Sequence, residues 1–76
     1  MDEKNYSDIN LFIGSKIKVK RVALGITQNK LGKMLGIAFQ QVQKYEKGRN
    51  RINMEKLVKI AKIFDVSILY FLKGYD

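Results

Sequence analysis

Between residues 38 and 48 the chain reads Ala-Phe-Gln-Gln-Val-Gln-Lys-Tyr-Glu-Lys-Gly, a stretch whose polar positions are filled by amides and lysines. Glu and Lys would be the simpler choice for solubility alone. At about 100° per residue, with Val42 facing inward, Ala38, Tyr45 and Glu46 fall on the core side of a helix. Gln40, Lys44 and Lys47 then point directly away, Phe39 and Gln43 flank them, and Gln41 takes the opposite flank. A glutamine amide presents a donor and an acceptor in one plane and can pair bidentately with adenine. Lysine can donate to guanine, and an apolar ring can meet a thymine methyl. This is the chemistry needed to read base edges in the major groove of duplex DNA. The plainer alternative is a solvated helix that happens to use glutamine.

Other chemistries find little material. The chain has no cysteine and no histidine, so it lacks thiolate metal ligands, disulfides, and the commonest metal ligand and general base. No carboxylate cluster replaces them, and we expect neither an enzyme nor a bound cofactor or metal. No apolar run approaches the ~18 residues of a membrane span, and the acidic, polar start does not read as a secretory signal. A cytoplasmic protein without a membrane partner is expected. The net charge is +8, and twelve of the fifteen Lys and Arg lie between residues 11 and 60, against only Glu46 and Glu55. The middle of the chain is thus where a polyanion would sit.

The elements that must position the outward face are legible from three boundaries. Thr27, Asn53 and Ser67 are each preceded by an aliphatic residue and followed four positions later by an apolar one, the pattern of a helix N-cap with a hydrophobic staple. The pairs are Ile26 with Leu31, Ile52 with Leu57, and Val66 with Phe71. Helices are predicted at about 9–24, 28–35, 39–47, 54–64 and 68–73. No segment alternates at period two, and proline is absent, so an all-α, compact five-helix fold without a sheet is expected. Leu31, Met34 and Leu35 form the predicted inward stripe of the second helix; Leu57, Ile60, Ala61 and Phe64 form that of the fourth. Gly32, in mid-helix, implies a close neighbour above it. Residues 1–8 read as a loose leader and 9–76 as one domain, near the size at which a single core barely suffices.

Two charges occupy apolar positions. Ile9, Ile13, Ile17 and Leu24 mark the buried line of the first helix, and the step after Ile17 is Arg21. On the third helix the step after Val42 is Glu46. Burying either alone would cost several kcal/mol, so the two are expected to be buried together as an ion pair.

The run Thr27-Gln28-Asn29-Lys30-Leu31-Gly32, through Gly36 to Tyr45-Glu46-Lys47-Gly48, resembles the Cro/cI (XRE-type) helix-turn-helix family of lambdoid phage repressors and their bacterial relatives. The Arg-Val-Ala-Leu-Gly-Ile-Thr-Gln junction after the first helix and the segment 60–67 extend the likeness over nearly the whole chain. The resemblance implies a lambda-repressor-like DNA-binding domain with residues 39–47 as recognition helix. It implies base contacts from Phe39, Gln40 and Lys44, with Gln43 nearby, and a phosphate contact from Gln28 at the start of helix two. It also implies that Lys47, Arg49, Asn50 and Arg51 touch backbone or minor groove, and that Arg21 and Glu46 form an ion pair. The chain departs from the family at Ala38, which cannot cap the third helix, a loss of roughly 1 kcal/mol. It departs again at Asp65, in the usual place of a left-handed glycine.

The final segment Ile68-Leu69-Tyr70-Phe71-Leu72 is apolar all round, and one face would be left in water by a monomer. A two-fold homodimer through Ile68, Tyr70 and Phe71 is expected, reading a palindromic operator as a repressor or other regulator. The competing reading is an interaction module, an antitoxin or adaptor whose protein partner sits on that apolar helix and whose DNA affinity is only nonspecific.

Overall fold

The computed structural model describes residues 3–75, the first five of them by backbone alone. Four α-helices follow in order: α1 Glu3–Ala23, α2 Gln28–Leu35, α3 Phe39–Glu46 and α4 Met54–Phe64. A 3₁₀ turn, Ile68–Phe71, closes the chain, and no strand occurs among the described residues. The segment expected as a fifth α-helix is therefore this shorter, tighter element. Ser67 accepts a hydrogen bond from the N–H of Leu69, only two residues on, and the element ends after four residues at Phe71. α1 begins at Glu3, earlier than the expected start near residue 9. Met1 and Asp2 of the expected leader, and Asp76, lie outside the described residues.

The expected caps at Thr27 and Asn53 are formed. The Thr27 hydroxyl accepts from Lys30 N at 3.0 Å, and the Asn53 side-chain oxygen accepts from Lys56 N at 2.8 Å. Ile26, Ile52 and Val66, each one residue before a cap, pack against the core. Asp65 closes α4 at φ 58°, ψ 48°, the left-handed conformation that glycine would adopt with less strain.

The core unites all five elements through Ile17, Leu31, Leu35, Val42, Leu57, Ile60, Ala61, Phe64 and Phe71. Fully burying each large aliphatic or aromatic side chain stabilises by roughly 1.5–3 kcal/mol, and Phe71, at 0% exposure, is the largest of them. Three expected core residues are displaced. Leu24 is exposed, because α1 ends at Ala23 and Gly25 turns the chain away. Met34 is 48% exposed while Gly32 is buried in its stead. A Cβ on Gly32 would stand 2.8 Å from the carbonyl oxygen of Ile37, so the turn into α3 crosses there and draws the buried stripe of α2 toward Gly32. Ala38 is exposed because it precedes the helix, with an extended ψ of 150°, and so falls outside the helical period.

Candidate nucleic-acid interface

α3 is held by its inner face and its last turn. Val42, Tyr45 and Glu46 are its buried residues. A Cβ on Gly14 of α1 would run into the carbonyl oxygen of Tyr45 and lie 2.9 Å from that of Glu46, so α1 and α3 touch backbone to backbone. Gly48, at φ 71°, also lies close, and a Cβ there would stand 2.7 Å from Leu11 Cα. The sequence reading missed Gly14; a glycine beside the buried line of a helix is the signal that marks such a crossing.

The buried charge pair fixes the same end. Arg21 Nε donates to Glu46 Oε2 at 2.6 Å and Nη2 donates to Oε1 at 3.1 Å, while Nη1 donates to the Ile26 carbonyl at 2.8 Å. The two side chains are 10% and 2% exposed. A third donor was not foreseen: Gln28 Nε2 reaches Glu46 Oε1 at 3.0 Å. A carboxylate only accepts, so the amide nitrogen of Gln28 must face Glu46, and one N–H remains for another acceptor. Arg21, Gln28 and Glu46 thus join the end of α1, the start of α2 and the end of α3 in one network.

The other side of α3 is open. Gln40, Lys44 and Lys47 are exposed, Phe39 is 40% exposed, and Gln43 is half-buried at the flank. The side chains of Gln40 and Lys44 make no hydrogen bond within the described residues. Ala38 supplies no side-chain cap, and the Gln41 and Val42 N–H groups are satisfied by its carbonyl at 3.0 and 3.4 Å. Arg49, Asn50 and Arg51 are exposed on the loop that follows, which is anchored where Arg49 N donates to the Lys44 carbonyl at 2.9 Å. Gln28, Phe39, Gln40, Gln43, Lys44, Lys47 and the loop therefore belong to the α2–α3 corner, with cations and amides outward and apolar contacts inward.

The expected dimer residues do not share one surface. Phe71 is fully buried, with its ring 6.4 Å from that of Phe64, so it belongs to the protomer's own core and is unavailable to a partner. Ile68 and Tyr70 are half-buried. Leu69, at 69% exposure, and Leu72, at 41%, are the exposed apolar residues there, and with Val66 and Tyr70 they line an open groove of about 720 Å³. In an irregular 3₁₀ turn the inward position falls on Phe71 rather than on an α-helical stripe.

Among the described residues no helix is long and apolar enough to cross a membrane, and no group of His, Cys, Asp and Glu could hold a metal ion.

Comparison with known proteins extends this picture. A family described as Helix-turn-helix matches residues 17–71. An uncharacterized HTH-type transcriptional regulator of Sinorhizobium medicae is 44% identical over 70 residues, 92% of this chain and 50% of its own length. An uncharacterized transcriptional regulator in the ATPase CF(0) region of Rhodospirillum rubrum is 40% identical over 75 residues, 99% of this chain and 69% of that protein. The chain thus spans about half the length of the rhizobial relative. Among solved structures, the P22 c2 repressor protein in complex with synthetic operator 9T superposes with a TM-score of 0.74 at 34% identity, covering 82% of this chain and 94% of the repressor chain.

Proposed function

This chain belongs to the helix-turn-helix family of the Cro/cI type, a family of transcriptional regulators, and from that premise we propose that it is a sequence-specific reader of double-stranded DNA that represses by occupying an operator. The observation that carries the reading is the outward face of α3, where Gln40 and Lys44 stand exposed, without a hydrogen bond among the described residues, beside Phe39 and Gln43. A helix bearing amides, a cation and a ring on one side has the pairing groups for major-groove base edges. Gln28, Lys47, Arg49, Asn50 and Arg51 take the flanking sugar-phosphate contacts, which position the helix without carrying sequence information. The likeness to an operator-bound phage repressor supports this arrangement.

Two copies read a two-fold symmetric site in this proposal. Their α3 helices enter successive major grooves about 34 Å apart, and the protomers meet through Leu69, Tyr70 and Leu72 with Ile68 at the edge. The apolar groove beside those residues supports the assignment. Selection on a randomised duplex pool at near-physiological salt tests the whole reading. Enrichment of a two-fold symmetric motif is the expected result. A pool that stays random leaves α3 a nonspecific anchor and gives the groove at Leu69 and Leu72 to a protein partner.

A further inference from the structure

α1 is apolar on two opposite sides. Its inner side carries Ile13, Ile17 and the backbone contact at Gly14. Roughly 140–200° around the helix from Ile17 lie Ser15, Val19 and Val22, with Leu11 at the margin. Val19 is 65% exposed, Val22 59% and Leu11 50%, and Ser15 between them is exposed too. Positions 11, 15, 19 and 22 are spaced four, four and three residues apart, which keeps them on one seam about 16 Å long, three turns of helix. An ordinary surface helix carries charge there. Here the charge stands at the borders: exposed Lys18 on one side, and Lys16 and Lys20 on the other.

The second border is built. The Lys16 ammonium lies 5.0 Å from the Tyr70 ring centre and 5.5 Å from that of Phe12, and the Lys20 ammonium lies 5.9 Å from Tyr70. Such contacts hold a lysine head in place while leaving its N–H groups free for an anion. Beside them Phe12, Ser15, Lys16, Val19 and Tyr70 line a groove of about 330 Å³, room for an anchoring side chain. Asp8, at the N-terminal end, is the one acid among the described side chains of α1.

We propose that this stripe is a docking surface for a partner protein that lays an amphipathic helix along α1, with an apolar seam on Val19 and Val22 and Asp or Glu flanks on Lys16, Lys18 and Lys20. Charge selects the occupant. A second copy of α1 would bring three lysines against three along the same seam, which is repulsive. A nucleic acid would meet its phosphates with valine and leucine at the centre. An acid-flanked apolar helix satisfies both the seam and its borders. α3 packs on α1 at Gly14, away from Val19 and Val22, and the loop after α3 reaches the Leu11 margin of the stripe through Gly48. A partner centred on Val19 and Val22 leaves the outward face of α3 open and meets the proposed dimer contact at Tyr70. That regulatory meaning rests on the DNA-reading proposal, whereas the docking itself does not.

The test uses two synthetic helical peptides with the same leucine seam, one flanked by glutamate and one by lysine, titrated into the full chain and followed by amide NMR shifts without DNA. The glutamate-flanked peptide should saturate with shifts confined to residues 11–22 and Tyr70, and the lysine-flanked one should bind at least about tenfold more weakly. Val19→Glu and, independently, Lys18→Glu should each weaken the first peptide by about tenfold while leaving the thermal midpoint and affinity for random-sequence duplex within about twofold. Both positions are exposed, so neither substitution disturbs the core. Equal binding of the two peptides, no binding of either, or shifts centred on Leu69 and Leu72 would each overturn the proposal. So would self-association of the free chain that Val19→Glu abolishes, since the stripe would then be a face between copies. A random outcome of the duplex selection leaves these results untouched, which keeps the two failures distinct.

Discussion

Arg21 and Glu46 meet as a buried, bidentate ion pair with N···O distances of 2.6 and 3.1 Å, although the residues stand 25 positions apart. Each occupies a place where its helix would otherwise be apolar, and the third guanidinium nitrogen, Nη1, donates to the Ile26 carbonyl. Removing one partner leaves an uncompensated buried charge. Glu46→Ala should therefore cost about 3–5 kcal/mol in urea denaturation, as should Arg21→Ala. The double variant Arg21→Met, Glu46→Leu should regain most of that loss. A double variant no more stable than the singles would mean that the pair contributes through its hydrogen bonds rather than by cancelling charge.

Gly14→Ala should destabilise by about 1–3 kcal/mol or more, because the added methyl meets backbone carbonyls of α3 that cannot rotate aside. Ser15→Ala, on the exposed side one residue later, should change the urea midpoint hardly at all. The contrast between neighbours separates close approach from helix propensity, which alone would favour alanine at both positions.

Ala38→Ser should raise stability by about 0.5–1 kcal/mol, read as a higher thermal midpoint. Ala38 already has the extended backbone of an N-cap, φ −72° and ψ 150°, and lacks only the side-chain acceptor. An unchanged midpoint would show that the Ala38 carbonyl and solvent already satisfy the N-terminal amides of α3.

Where the sequence was legible, the signal was periodic or local. Thr27, Asn53 and Ser67 announced their helices through capping chemistry confined to a few residues, and Leu57, Ile60, Ala61 and Phe64 announced the inner face of α4 through its period. The Arg21–Glu46 pair was legible because two independent periods each led to a charge. What was hidden depends on tertiary approach. Met34 lost its place to Gly32 because another segment crosses α2 there, and Phe71 was taken from the expected dimer face by a 3₁₀ turn whose handover from α-helix leaves no periodic trace over four residues. Gln28 was assigned to phosphate by resemblance, and its bond to Glu46 could not be inferred without knowing how closely α2 and α3 converge.

Gln40→Ala should lose about 1–3 kcal/mol of affinity for the selected site and little for random duplex, whereas Arg49→Ala should weaken both alike and lower the slope of log K against log salt by about 1. Neither should alter the thermal midpoint, since both side chains are exposed. Binding isotherms at three salt concentrations distinguish the two roles. Equal losses on both duplexes for Gln40→Ala would remove it from base reading.

The backbone clamp of Gly14 and Gly48 on α1 and α3 uses no atom of Gln40, Gln43 or Lys44. Under the DNA-reading proposal, the frame that aims the helix is separate from the letters it displays. Lineages that inherit this frame can exchange those letters and acquire new binding sites without first rebuilding the core. Divergence in what is read need not be accompanied by divergence in how firmly the protein is folded.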